Sequence, residues 1–416
     1  MRELDNENEA AMVEEALAGE RMGDNGAELH KDRRRFLLGS LAAGAVGLAS
    51  CKRAGDTSAR RGEDRPTEPG PRSSSPRREA RGPDDPRRAE PPRGETDGSS
   101  TIRREAARAA PAARKSRVVQ VVNPKAYDAK GAPDPQPVKV MVDQAVMTLT
   151  GAASALEAWK SLFKPTDKVG LKPNSLGREL CWTHPATVDA IIEGLLSAGV
   201  PYGNMYMWDM WGFEASPLSS RYRKSPMKIK PIKAWGFERK AHTIPSGPPV
   251  NFTKALTAVD AVVNLPVIKD HDLAGVTCAL KNMAFGSIPN PWAFHATRSG
   301  ERLCDPMVPE IYALGPIKDK VRLIVADAFS VIIDGGPKGN PRGLRKLHSV
   351  FAATDPVAMD RVALKIIEGL RAEAKMPRLE DRPAKAGRPT HVFTAARMGL
   401  GTADLERIDH VVKTVT

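Results

Sequence analysis

The run KDHDLAGVTCALKNMAFGSIPNPWAFH, residues 269–295, sets two lysines, two histidines and two asparagines among small and apolar residues. Gly275, Ala274 and Ala279 let backbone approach a ligand closely, while Lys269 and Lys281 supply positive charge. A lysine beside another cation, or partly desolvated, has a lowered pKa and can act as nucleophile or base. An imidazole such as His271 can shuttle a proton or bind a metal. His271 and Lys281 are therefore the candidate catalytic residues, with Lys269 and Asn282 as ligand-binding neighbours. His295 lies 24 residues beyond His271, too far for a local metal motif, so ligation of a metal by that pair requires the fold to bring them together. The competing reading pairs Asp270 and Asp272 with the two lysines in surface salt bridges.

A second candidate group is Lys172-Pro173-Asn174, which follows the apolar run Val169-Gly170-Leu171. Proline sets an extended exit, so Lys172 and Asn174 can project toward a cleft and fix a carboxylate or phosphate; a plain polar strand end is the alternative. Asp334-Gly335-Gly336-Pro337 reads as a tight turn, and Gly335 and Gly336 either bind an anion through backbone N–H groups or simply permit positive φ. Asp327 falls at the end of a predicted strand. Asp355 precedes a proline, as a helix cap does, and is also counted among the ligand-binding candidates. Asp360 lies further inside the same predicted helix, where a buried carboxylate can pair with a lysine. Motifs GxSxG, GxxxxGK[ST], HExxH and a strand-turn-helix GxGxxG are absent from the sequence.

Elements must position these residues. Apolar spacing predicts strands over residues 118–122, 168–171, 205–210, 261–265, 321–326, 350–354 and 391–395, and helices over 138–149 and 152–163. Thr183 is expected to cap a helix with Pro185 in its first turn and an apolar face made by Val188, Ile191, Ile192, Leu195 and Leu196, stopped by Gly199. A further helix is expected from Pro356 to about Gly369. Strands alternating with helices imply an α/β fold with a largely parallel sheet flanked by helices, and ligand groups beyond the strands' C-terminal ends. Lys172, Asn174, Lys269, His271, Asp327 and Asp355 all fall at such predicted ends. Residues 216–249, rich in Lys, Pro and Gly, are expected to form an irregular insertion.

The first quarter of the chain has a different character. Arg33-Arg34 followed by a short apolar run to Cys51 reads as a twin-arginine export signal. Leu48-Ala49-Ser50-Cys51 resembles a lipoprotein cleavage box, with Cys51 the lipidated residue. Residues 52–116 are rich in Arg, Pro, Ser, Gly and Glu and are expected to be a disordered tether. Residues 117–416 are then one α/β core.

Lys plus Arg number 63 against 50 Asp plus Glu. Within the core they stand at 40 against 29, giving it about +11 of the net +13. A basic tether near a bilayer favours anionic headgroups; a basic, exported core favours small anionic ligands and gives no reason to invoke nucleic acid. Cys181, Cys278 and Cys304 are widely spaced with no CxxC pair, which excludes a locally bound iron–sulfur cluster and a disulfide framework.

The core resembles the domain of unknown function family 362. VGLKPN (169–174), VVNLPVIKDH (262–271), GVTCALKNMAFGSIP (275–289), His295, DGGP (334–337), TDPVAMD (354–360) and GLG (399–401) carry the resemblance. Many relatives carry a ferredoxin-like segment with clustered cysteines, which this chain lacks. His271-x-x-Ala274-Gly275, Lys281 and His295 are also similar to the cofactor-binding stretch of nickel-pincer lactate racemase-type proteins. That likeness implies a nickel-type cofactor held covalently by Lys281, with His271 and His295 as proton carriers or metal ligands, although the glycines flanking that lysine are Ala279 and Asn282 here.

The resulting expectation is an exported, lipid-anchored, periplasmic or otherwise extracytoplasmic α/β protein, carried by the twin-arginine translocase and held at the membrane through Cys51. Its cleft would bind an anionic small molecule or cofactor and perform proton-transfer or redox chemistry. The alternatives are a non-catalytic envelope binding protein and a nickel-pincer-like isomerase.

Overall fold

Successive strand residues send their side chains to opposite faces of a sheet, and here both faces are apolar. Val118, Val262, Ile324 and Phe351 join one buried cluster, whereas Val119, Val263, Val325 and Val350 join another across the sheet. A sheet buried on both sides must be covered by helices on both sides, which gives three layers.

The computed structural model describes residues 115–210, 212–295, 304–383 and 386–416. The export signal, Cys51 and nearly all of the tether lie outside them. Ten strands are described: β1 Ser116–Val122, β2 Val169–Lys172, β3 Met205–Met207, β4 Lys228–Ile229, β5 Ala261–Asn264, β6 Val267–His271, β7 Gly275–Thr277, β8 Val321–Ile332, β9 Leu344–Ala353 and β10 Ile408–Thr414. Their order is β10-β1-β9-β8-β5-β2-β3-β4, with β6 paired to β8 and β7. The β1–β10, β2–β3, β2–β5, β3–β4, β5–β8 and β6–β8 pairs are parallel. The β1–β9, β6–β7 and β8–β9 pairs are antiparallel. The fold is α/β, its sheet mixed and mostly parallel.

Helices α1 Pro135–Thr150, α2 Ala155–Leu162 and α3 Pro185–Ser197 cover one face. Asp134 and Ser154 cap the first two with side-chain oxygens, and Gly151 ends α1 in the left-handed conformation. The other face is covered by α4 Ala279–Ala284 and α5 Pro356–Glu373, with α6 Thr390–Arg397 packed on α5. Among the described residues no helix is long and apolar enough to cross a membrane.

Four expectations change. Residues 391–395 lie in helix α6, because buried His391, Val392 and Ala395 recur at three to four residues, a helical spacing that the β-favouring Val, Phe and Thr obscured. Thr183 does not cap α3: His184 holds the cap position, and the Thr183 hydroxyl instead accepts from Asn174 N and donates to the Leu265 carbonyl. The strand expected to stop at residue 326 continues to Ile332, so Asp327 sits mid-strand. The segment 216–249 is largely irregular but contains the short helices Pro217–Tyr222 and Ile232–Trp235 and the edge strand β4.

Asp327 anchors the start of α3. Its carboxylate accepts from His184 N at 2.8 Å and the Thr187 hydroxyl at 2.6 Å, and meets His184 Nδ1 at 3.1 Å. Burial alone would raise this carboxyl; His184 and Thr187 outweigh it and hold the group below the usual carboxylate range. Asp327→Ala is expected to cost about 3 kcal/mol in urea unfolding at pH 7, because buried donors lose their acceptor. The wild-type contribution is complete above pH ~4, the unfolded carboxyl value, and fades as pH falls through the lowered folded value, so the difference from the variant should shrink in acid.

Candidate functional site

The C-terminal ends of β2 and β5 lie side by side, with Lys172 in register with Asn264. β6 follows β5 after a two-residue turn and brings in Lys269 and His271, while β7 returns antiparallel and sets Thr277 opposite Lys269. Helix α4 then starts beneath the strand ends. Lys172, Asn174, Asp209, Lys269, His271, Thr277, Lys281, Asn282 and His295 line one pocket, with Phe285, Gly286 and Pro337 among its apolar walls. The free space among them is about 60 Å³ and is partly open to solvent.

Asn282 ties the floor together. Its side-chain N–H groups donate to the Lys172 carbonyl at 3.0 Å and Asn264 Oδ1 at 2.8 Å. Its oxygen accepts from Asn174 Nδ2 at 3.0 Å and Lys172 Nζ at 3.3 Å. Asn264 in turn donates to the Ala279 carbonyl, locking α4 to β5. Lys172 also donates to Asp209 Oδ1 at 2.6 Å and the Pro173 carbonyl at 2.8 Å, while Asp209 Oδ2 accepts from Ser175 N. Gly286 makes this possible: a Cβ there would lie 2.6 Å from Lys172 Nζ.

The other two lysines are left differently. Lys269 is fully buried and donates to Asn174 Oδ1 at 2.9 Å. Burial lowers its pKa to about 8, with Lys281 and Lys172 pushing the same way against Cys181 and Asp209. Lys281 Nζ lies 3.2 Å from His295 Nε2 and 4.5 Å from the centre of the Phe285 ring. Burial lowers its pKa too. Among the described residues, the ion pairs within 4.0 Å do not include Lys269 or Lys281. Asp270 faces away, toward Gly336 N at 2.7 Å and Arg382 at 3.2 Å. The competing reading, a surface pairing of Asp270 and Asp272 with these lysines, is thus not what the fold builds.

The two pocket imidazoles stack, with centroids 5.7 Å apart, but present opposite chemistry. His295 Nδ1 donates to the Pro291 carbonyl at 2.8 Å, leaving Nε2 as a lone pair toward Lys281. His271 Nδ1 accepts from Leu273 N at 3.0 Å and Ala274 N at 3.3 Å, so its neutral ring carries the proton on Nε2. Asp272 Oδ1 stands 3.0 Å from the same nitrogen, but that side chain is exposed and can turn away, whereas the two backbone donors are fixed by the turn. Both rings are held neutral: burial and nearby lysines lower His295 to about 2 and His271 well below its ordinary value. One ready imidazole lone pair does not suit the two-histidine metal or nickel-type centre that His271 and His295 suggested. Among the described residues no cluster of three or more His, Cys, Asp or Glu could hold a metal ion.

The remaining candidates lie outside the pocket lining. Asp327 anchors α3, as above. Asp355 is the N-cap of α5, accepting from Val357 N and Ala358 N. Asp360 accepts from Ala279 N at 2.5 Å and Leu280 N, not from a lysine, and so fixes the first turn of the helix that carries Lys281 and Asn282. Burial raises its carboxyl to about 7 against the pull of those N–H groups. Gly336 N already serves Asp270, and a Cβ on Gly336 would overlap the Asp270 carbonyl, so the turn's anion is internal. Its neighbour Pro337 reaches the pocket. Asp209, Asn264, Thr277 and Gly286 escaped sequence reasoning. The signal for Asp209 was present, an acid at the end of the predicted strand 205–210; the others become visible only through pairing.

Residues 169–365 match the family model described as Domain of unknown function (DUF362). This segment belongs to DUF362. The DUF362 span holds every pocket residue named above, together with Asp360 and the DGGP turn. Half of the chain, 222 residues, is 29% identical to a thylakoid-associated protein of Synechocystis sp., and the match spans 65% of that protein's length. Superposition on the lactate racemase apoprotein from Thermoanaerobacterium thermosaccharolyticum gives a TM-score of 0.34 at 12% identity, over 71% of this chain and 83% of that one.

Asn282→Ala leaves the buried polar groups of Lys172, Asn174 and Asn264 short of partners. It is expected to cost about 2–4 kcal/mol in chemical denaturation, more than Asn282→Asp, which keeps the acceptor for Lys172 and Asn174.

Proposed function

We propose that the cleft binds a small anionic molecule, a carboxylate or phosphate, and moves a proton on it. One observation carries the reading: Lys269 is a buried cation facing the pocket, whereas Asp209, the carboxylate in its lining, is held by Lys172 and Ser175. A buried charge without a counter-ion is costly, and an anionic ligand supplies the counter-ion. Thr277 Oγ1, buried beside Lys269 and without a partner, offers a further hydrogen bond. His295 Nε2 accepts a hydrogen bond from Lys281 or ligand, and the His271 Nε2–H donates toward charge developing on a ligand oxygen.

In this reading Lys269 must be charged to bind. Acetate or phosphate affinity measured by calorimetry should fall as pH rises through about 8, where Lys269 loses its proton. Lys269→Met should weaken binding at neutral pH and remove that dependence. The same change should raise stability at pH 7 by on the order of 1–3 kcal/mol. The unfolded lysine keeps its proton to about pH 10, so wild-type stability should climb between pH ~8 and that value while the variant stays flat. Equal affinity in wild type and Lys269→Met would refute the anion site.

We further propose that the core leaves the cytoplasm folded, by the twin-arginine route, and is held at a membrane through a lipid on Cys51. Arg33-Arg34 and the box ending at Cys51 support this, as does the similarity to a thylakoid-associated protein. Cys51→Ser should move the exported protein from the membrane to the soluble fraction, and Arg33→Lys with Arg34→Lys should stop its export. Unchanged fractionation of both variants would count against this location.

A further inference from the structure

We propose that Lys281 is a Schiff-base nucleophile that condenses with the carbonyl carbon of a small 2-oxo acid whose carboxylate sits between Lys269 and Thr277. The inference rests on the anion-binding reading above and names its ligand class.

The three pocket lysines are not equivalent. Lys172 is committed to Pro173, Asp209 and Asn282, and Lys269 to Asn174. Among the described residues, Lys281 meets the acceptor nitrogen of His295 and the face of Phe285, with Cys304 and Asp272 acting on it electrostatically without a hydrogen bond. It therefore has no hydrogen-bonded carboxylate to hold it as an ammonium, and burial favours the free amine that attacks carbonyls. The neighbouring groups supply what condensation needs besides an amine. Thr277 Oγ1 is buried with no partner, lines the pocket and lies opposite Lys269 in the β6–β7 register, so the two form one end for a carboxylate. His295 Nε2 is an open hydrogen-bond acceptor 3.2 Å from the amine.

The step balances without an oxidant or reductant. The Nζ lone pair attacks the 2-oxo carbon, the C–N bond forms, and the carbonyl π pair moves to oxygen, stabilised by the His271 Nε2–H. His295 Nε2 holds the amine by a hydrogen bond; a first proton passes from nitrogen to the alkoxide, giving the carbinolamine, and a second passes from nitrogen to its hydroxyl, which leaves as water. The product is an imine whose carboxylate stays at Lys269 and Thr277.

The test uses the full chain with pyruvate and sodium borohydride, followed by intact mass and peptide mapping. The expected result is one adduct on Lys281, heavier by pyruvic acid less one oxygen atom. It should be absent in Lys281→Arg, and its yield should fall about tenfold in Lys269→Met through loss of a charge-assisted hydrogen bond. Propanal, which lacks the carboxylate, should give much less adduct. If Lys281→Arg fails to fold, mapping of the wild type still decides, and His295→Phe should slow adduct formation. Pyruvate that binds by calorimetry without modifying Lys281 overturns this inference and leaves the anion site standing. Failure of acetate, phosphate and pyruvate alike to bind removes both. Adducts spread over surface lysines at equal yield also overturn it.

Discussion

The Asn282 amide uses both its N–H groups and both acceptor directions inside the core, on Lys172, Asn174 and Asn264. Because those partners come from β2, the loop after it and β5, one side chain on α4 fixes the relative position of two strands, a loop and a helix. The pocket exists where they meet. If the amide moved, Lys172 would lose an acceptor, Asn174 could not be oriented toward Lys269, and α4 would lose its tie to the sheet. Asn264 extends the same constraint by holding the Ala279 carbonyl, and Asp360 completes it from the far side by accepting the first N–H groups of α4.

The acids and the bases of this core are used for different purposes. Asp327, Asp355 and Asp360 each meet the backbone N–H groups at the start of a helix, where negative charge is favoured by both hydrogen bonding and the helix dipole. Asp270 clamps the DGGP turn and Arg382. The carboxylates that could have neutralised the pocket lysines are therefore engaged in building it. What remains at the strand ends is positive, and two imidazoles kept neutral in that field offer one acceptor and one donor without adding to the charge.

The sequence made the strand ends legible because an apolar triad followed by Lys-Pro-Asn, or an apolar run followed by Lys-Asp-His, marks where a buried strand meets solvent or a cleft. Lys172, Asn174, Lys269, His271, Lys281, Asn282 and His295 do line one pocket. Direction along the sheet was not legible: β8 and β9 pair antiparallel, and no local pattern distinguishes that from two parallel strands. Nor was the use of each aspartate. Asp327 looked like a ligand because its strand was expected to end there, yet the strand continues and the carboxylate turns to α3. Gly286 carries no sign of its role, since the side chain it would obstruct belongs to a residue 114 positions earlier.

The position of β1 bears on how the chain is made. It is the first strand described, yet it lies between β9 and β10, so its partners are more than 220 residues away, as the contact of Gln120 with Ser349 illustrates, and the Arg117–Asp409 pair lies 292 residues apart. During synthesis the segment Val118–Val122 has one edge open until Leu344–Ala353 has been made and the other until Ile408–Thr414 has. An open, apolar strand is a template for aggregation. Until both partners have been made, the strand is open to pairing with a neighbour.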